Sequence, residues 1–297
     1  MSDPGCGILL LDKPAGMTSN AALGRARRAL GIRKAGHTGT LDPMASGLLV
    51  LCFGEATKVA GFLLDGDKTY LAEFRLGAVT DTDDAEGEVV DTRPVPALDA
   101  ADLAPALDRF RGPIEQVPPM YSAVKRDGQR LYQLARRGQT VDRPARPVTI
   151  HELALLACKD DRLQLRVRCS KGTYIRALAR DLGEQLGCGG HLSALRRTSS
   201  EPFDLADAIT LAALEALAPS AARACLQPAD RALVHLPAVE LSADEARRLQ
   251  LGQRLPAACA GEVDGLVRLY GPAGFFGIGE VEVRGLKPKR LFQIATD

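Results

Sequence analysis

Asp42 is the lone carboxylate in GHTGTLDPMASGLLVLCFG, residues 36–54. Leu41 and Pro43 flank it, and no Lys or Arg lies within seven residues on either side. Burial in an apolar, preshaped loop raises a carboxylate's pKa unless a cation pairs with it. Paired, it stays ionised. Arginine is the natural partner, being planar, bidentate and always charged. Arg176, near the start of a predicted helix in SKGTYIRALARDLG, is the candidate, and Tyr70 is the third side chain that remains. The competing reading makes Asp42 a turn residue ahead of Pro43 that caps the next element. Residue types alone leave both open.

Other chemistries are excluded more directly. There is no G-x-x-x-x-G-K-[ST] phosphate loop and no G-x-S-x-G elbow. The four histidines (37, 151, 191 and 235) contain no i, i+4 pair for zinc, and His151 and His235 sit in apolar, strand-like contexts. Seven cysteines (6, 52, 158, 169, 188, 225 and 259) are odd in number and lack C-x-x-C, so most of them read as small buried hydrophobes. The acidic TDTDDAEGEVVDT (80–92) fails the calcium-loop pattern, because the sixth position from Asp81 is Glu86 rather than glycine. The sequence offers a site for no metal, nucleotide or flavin, and a reaction here is expected to need no cofactor.

The elements that must hold these residues are legible in outline. Ile8 to Leu11 is a short buried strand, and Ser19 or Asn20 can cap a helix that ends at Leu30 with Gly31 beyond it. Leu48 to Phe53 reads as a buried strand, Ala56 to Leu64 as helical, and Tyr70 to Leu76 as a strand. The acidic segment is a turn or hairpin loop. Residues 99–110 form an amphipathic helix, and KRDGQRLYQLARRGQTVDRPARP, with seven basic residues against two acids, reads as a protruding insertion. In RLQLRVRCS, Leu163, Leu165, Val167 and Cys169 take one face of a strand, and Arg162, Arg166 and Arg168 share the other. A helix follows from Thr173, and 233–297 reads as a small β-rich domain.

At 297 residues, the length suggests two domains, with 46% hydrophobic and 25% charged residues as in ordinary globular proteins. No apolar run approaches the roughly 20 residues that span a bilayer, and the N-terminal apolar stretch is too short for a signal peptide, so cytoplasm is expected. Net charge is +1, but it is segregated. Residues 24–37 carry five basic side chains and 162–180 carry six, neither with an acid, whereas 80–92 carry six acids and no base. That pattern suits a basic face for a polyanion, or equally a set of solvated faces.

GHTGTLDPMASGLLVLCFGEATK resembles the catalytic-aspartate motif of the TruB family, the tRNA pseudouridine-55 synthases. LLLDKPAGMTSN is similar to the family's N-terminal motif, LLDGDKTYLAEFRLG to its tyrosine motif, and CSKGTYIRALARDLGEQLGCGGHLSALRR to its arginine and leucine motifs, in the expected order across residues 7 to 200. The resemblance implies an α/β (α+β) pseudouridine synthase fold: a mixed, largely antiparallel sheet with flanking helices over 1–232, and a PUA-like RNA-binding domain over 233–297. It implies that Asp42 attacks the target uridine, that Tyr70 stacks on the uracil and assists proton removal, and that Arg176 pairs with Asp42. Leu195 and Tyr174 would wall the pocket, His37 would fill the space of the flipped base, and Lys13, Pro14 and Lys58 would support the site. Arg162, Arg166 and Arg168 are expected to meet phosphates, and the insertion at about 122–150 to clamp the RNA as a thumb. The expected partner is tRNA, through its TΨC stem-loop, met by a monomer with no membrane and no protein partner. Two alternatives are an RNA-binding or tRNA-folding protein of the same fold and a guide-RNA-dependent synthase; the latter branch lacks the thumb insertion.

Overall fold

Strands that are apolar without interruption and strands that alternate belong to different parts of one sheet. The computed structural model describes residues 5–122, 125–126, 129–130 and 141–292. In chain order the strands are β1 (Gly7–Lys13), β2 (Ala35–Thr38), β3 (Ser46–Phe53), β4 (Lys68–Leu76), β5 (Ala78–Thr80), β6 (Val89–Thr92) and β7 (Gly112–Gln116). They continue with β8 (Lys125–Arg126), β9 (Gln129–Arg130), β10 (Arg146–Lys159), β11 (Arg162–Cys169), β12 (Gly190–Ser200), β13 (Phe203–Asp204) and β14 (Ile209–Thr210). Among the described residues the main sheet runs β14-β1-β3-β12-β4-β11-β10-β7, with β2 beside β3 and β13 beside β12. Only β1·β14 and β3·β12 are parallel, so the sheet is mixed and largely antiparallel.

β1 and β3 are buried on both faces, which is why their sequences are continuous apolar runs. On one face, Leu9, Leu11, Leu49 and Leu51 join Tyr70 and Phe74 under the helices α1 (Ser19–Leu30) and α4 (Ile175–Gln185), with Leu103 of α3 (Ala100–Asp108) in the same core. On the other, Ile8, Leu10, Leu48, Val50 and Cys52 pack against Leu63 of α2 (Ala60–Leu64) and against Ala229, Ala232 and Leu233. At the far side, β11 alternates buried and exposed residues as its sequence predicts.

Three local expectations need correction. Thr18, not Ser19 or Asn20, caps α1, accepting the Ala21 N–H at 3.1 Å, while Ser19 is turned inward. Residues 56–64 are not one helix but a 3₁₀ turn (Gly54–Lys58) followed by α2. Arg146–Ile150 pair with β7 in the main sheet, so the inserted segment ends before them. β8 and β9 form a hairpin, and residues 123–124, 127–128 and 131–140 of the expected thumb lie outside the described residues.

The C-terminal sheet runs β15-β16-β17-β18, from β15 (Ala238–Glu240), β16 (Gly265–Gly271), β17 (Gly274–Glu282) and β18 (Gly285–Leu291). A helix at Ala243–Gln250, opened by a Ser242/Glu245 capping box, covers its core of Val239, Leu249, Val267, Leu269, Phe276 and Leu286. The sheet is not detached. Ile278 enters the core behind β1 and β3, and Phe275 and Phe292 pack against it. Lys58 Nζ donates to the Leu291 carbonyl at 2.6 Å, and the Tyr270 hydroxyl donates to Asp230 Oδ2 at 2.6 Å.

Gly47 shows how closely β3 and β12 approach. Its φ is +98°, and an added Cβ would stand 2.2 Å from the Arg197 carbonyl oxygen. Gly47→Ala is expected to cost about 3 kcal/mol or more, roughly 5–10 °C in Tm for a chain of this size, measured by thermal denaturation.

Candidate active site

The loop before β3 is held by its backbone on both sides of Asp42. Ser19, in the first turn of α1, accepts the Leu41 N–H at 2.8 Å and donates its hydroxyl back to the Leu41 carbonyl at 3.0 Å. On the other side, the Pro43 carbonyl accepts the Gly16 N–H at 2.8 Å and the Lys13 ammonium at 3.5 Å. Lys13 is fully buried at the end of β1 and also donates to the carbonyls of Pro14 (2.9 Å) and Met17 (2.7 Å). Burial pushes its pKa down while the charges of Glu86 and Asp42 hold it up. Lys13 and the exposed Pro14 thus shape the loop. The turn reading of Asp42 is half right: its carbonyl accepts the Ala45 N–H at 3.1 Å, but its carboxylate turns to Arg176.

Arg176 lies in the first turn of α4 and is buried. Its Nη2 donates to Asp42 Oδ1 at 3.3 Å and to the Tyr121 carbonyl at 2.8 Å, and Nη1 donates to the Thr82 carbonyl at 3.1 Å. Nε stands 2.9 Å from Asp42 Oδ2 and 3.5 Å from Asp84 Oδ2 without the alignment of a hydrogen bond to either. The expected bidentate fork is therefore incomplete. One guanidinium is shared by two carboxylates. The Asp42 side chain keeps 34% of its surface open, against 5% for both Arg176 and Asp84, so approach to the group is from the Asp42 side.

Burial pushes the Asp42 carboxyl above the ordinary aspartate range; Arg176 pulls it back, Asp84 adds to the rise and Lys13 opposes it. A reaction that needs ionised Asp42 should lose rate as pH falls, with the acid limb centred above 3.8, the unperturbed value. Single-turnover rates across an acidic pH series check this.

Asp84 was hidden in the acidic segment. It is buried at the tip between β5 and β6, accepting the Thr82 hydroxyl at 2.6 Å and the Glu86 N–H at 3.0 Å. Beside it, Asp83 pairs with Arg180 at 2.9 Å. Two acids of the loop, Asp83 and Asp84, therefore dock on the basic start of α4, while Asp81, Glu86, Glu88 and Asp91 stay exposed. The available signal was Arg176 and Arg180 one helical turn apart, matched by two adjacent acids.

Tyr70 (β4) and Leu195 (β12) share a face, since Leu195 is paired with Ala72 and Arg197 with Tyr70. Tyr70 is buried, which pushes its hydroxyl pKa up while Arg197 pulls it down. Tyr174 precedes α4 and is clamped by the buried Gln116, which accepts its N–H at 2.8 Å and donates to its carbonyl at 3.1 Å. Its hydroxyl pKa is raised by burial, against the pull of Arg176. His37 lies on β2 opposite Leu51, and burial followed by the charge of Arg197 pushes its pKa down.

Four expected site residues fall elsewhere. Lys58 sits past the end of β3, the end away from the Asp42 loop, paired with Glu55 and the Leu291 carbonyl, where it ties the C-terminal sheet to the strand. Arg162, Arg166 and Arg168 project from the face of β11 opposite Val167, whose partner is Tyr70. Each meets an acid: Glu73 at 2.7 Å, Glu152 at 2.6 Å, and Asp67 and Glu201 at 2.9 Å. The stripe is a sheet surface whose charges are matched by acids, on the face away from Tyr70. Arg166→Gln is expected to leave the salt dependence of tRNA binding unchanged, where a lost phosphate contact would reduce the log–log slope by roughly 0.7 to 0.9.

The chain matches three TruB-family regions in succession. Residues 27–175 match the TruB family pseudouridylate synthase N-terminal domain, 176–234 the tRNA pseudouridylate synthase B C-terminal domain, and 237–292 the Pseudouridine synthase II TruB C-terminal region. It is 56% identical to a tRNA pseudouridine synthase B of Aromatoleum aromaticum, covering 96% of this chain and 92% of that one. A tRNA pseudouridine synthase B of Chromohalobacter salexigens is 53% identical, over 98% of this chain and 95% of the relative. Among solved structures, a Cbf5-Nop10-Gar1 complex superimposes with a TM-score of 0.75 at 27% identity, covering 98% of this chain and 86% of that one. With the loop aspartate, its arginine and the strand tyrosine assembled in that order of motifs, the chain belongs to the TruB family of pseudouridylate synthases.

Proposed function

We propose that this protein isomerises uridine to pseudouridine at position 55 of tRNA, in the TΨC loop, with Asp42 as nucleophile and without a guide RNA or protein partner. The observation that carries the reading is the partly open Asp42 carboxylate held by the buried Arg176. Asp42 bonds to the uridine, the N1–C1′ bond breaks, the base rotates so that C5 joins C1′, and the bond to Asp42 breaks to free the carboxylate; the C5 proton is lost and N1 gains one. Arg176 keeps Asp42 ionised, Tyr70 stacks on the uracil and assists proton removal, and Leu195 and Tyr174 wall the pocket. The nucleotide must leave the loop's stack, which costs a few kcal/mol. His37, held uncharged by its surroundings, suits the place the base vacates. Residues 233–297 are proposed as a PUA-like RNA-binding unit on a monomeric enzyme. Among the described residues no helix is long and apolar enough to cross a membrane.

The likeness to a Cbf5-Nop10-Gar1 complex favours one other reading, a synthase working within an assembly. The two differ in solution. Incubated alone with an unmodified tRNA transcript, or with an isolated TΨC stem-loop, the purified protein is expected to convert one uridine, mapped by pseudouridine-specific primer extension. A strict need for a guide RNA or second protein would overturn the stand-alone reading.

A further inference from the structure

We propose that Arg197 is the positioning residue that fixes Asp42 and Tyr70 relative to one another, one buried guanidinium serving both halves of the reaction centre. It heads the fully buried side chains by volume, and among the described residues no carboxylate lies within ion-pair distance of it. A buried, unpaired charge is costly, so a strand interior would ordinarily carry an apolar residue there, as Leu195 two positions earlier does on the same face.

What Arg197 contacts accounts for its retention. Nε donates to the Leu48 carbonyl, inside β3, at 2.7 Å and Nη2 to the Gly39 carbonyl, just after β2, at 3.0 Å, so the two contacts bracket the loop that carries Asp42. Its backbone pairs with Gly47 of β3 on one side and with Tyr70 of β4 on the other. β12 thus separates the strand that follows the nucleophile loop from the strand that bears the tyrosine, and Arg197 is the residue at which the three meet. The charge is felt at Tyr70, His37 and Lys13 alike. A lysine could keep the charge but could not bridge both carbonyls in one plane.

The inference rests on the synthase reading, and the wild-type protein tests that first: absence of pseudouridine from wild type defeats the reading itself. With wild type active, Arg197→Lys and Arg197→Met are compared in the full chain for tRNA affinity and single-turnover rate. The rate is expected to fall about a hundredfold or more, the scale of a misplaced reacting group, while Kd stays within about threefold. Millimolar guanidinium, but not methylammonium, is expected to restore part of the rate to Arg197→Ala. Gly39→Ala is the second route if those variants do not fold: its added Cβ would lie 3.3 Å from Arg197 Nη1 at a φ of +84°, and the same rate loss without affinity loss is expected. Folded Arg197→Met or Gly39→Ala protein turning over within about threefold of wild type, or losing affinity in proportion to rate, would reduce Arg197 to packing.

Discussion

Asp42→Asn is expected to give no detectable pseudouridine while tRNA binding stays within about tenfold, roughly 1.4 kcal/mol. Asparagine keeps the shape of the side chain and can still accept from Arg176, but it cannot form the covalent bond. The same substitution should not harm the fold. Because burial raises the Asp42 pKa, the native state holds that proton more tightly than the unfolded chain does. Stability from this group is therefore greatest at low pH and is lost as pH rises through the raised value. Once ionised, the carboxylate weighs against folding. Asp42→Asn removes that penalty and leaves Asp84 to face Arg176, so its Tm should equal or exceed that of wild type. Turnover, affinity and melting measured on one preparation decide the matter. Activity near wild type would make Asp42 a turn residue only.

Arg176→Met should be damaging in two ways at once. It leaves Asp42 and Asp84 close together without their shared cation, and removing one partner from a buried ion pair costs about 3–5 kcal/mol. The Asp42 pKa should rise further, since the opposing charge is gone, and any surviving activity should show an acid limb moved to higher pH. Arg176→Lys is gentler on the fold but cannot reach Asp42, Thr82 and Tyr121 together, so a rate loss of about a hundredfold, some 2.7 kcal/mol, is expected. Melting and pH–rate profiles of the two variants check this. A profile for Arg176→Lys that overlays wild type would separate Arg176 from the chemistry.

The sequence was informative where a single local rule governs. One buried face makes β11 alternate, two buried faces make β3 uniformly apolar, and Gly31 ends α1 in a left-handed conformation. Asp42 and Arg176 were legible as a candidate pair, because a carboxylate in an apolar loop calls for a cation, but only the family's motifs tipped Asp42 away from a turn role. What escaped depends on distant chain. Ser19 and Thr18 are both able to cap a helix, and only the presence of the Leu41 backbone beside Ser19 decides which does. Asp84 looks like any acid in an acidic loop until the loop folds onto α4. The arginines of β11 look like a polyanion surface until Glu73, Glu152, Asp67 and Glu201 arrive from neighbouring segments. Charge segregation along a chain does not specify segregation in space.

The insertion of Ile278, Phe275 and Phe292 into the core behind β1 and β3 bears on how this protein can be inherited and altered. The last sixty-odd residues are not an appendage strung on a linker. They supply part of the wall on which β1 and β3 rest. Shuffling, swapping or trimming this portion would uncover the apolar backs of Ile8, Leu10, Leu48 and Val50. Any recombination that keeps β1 and β3 must therefore also bring a partner shaped to that wall, so the two parts are bound to change together.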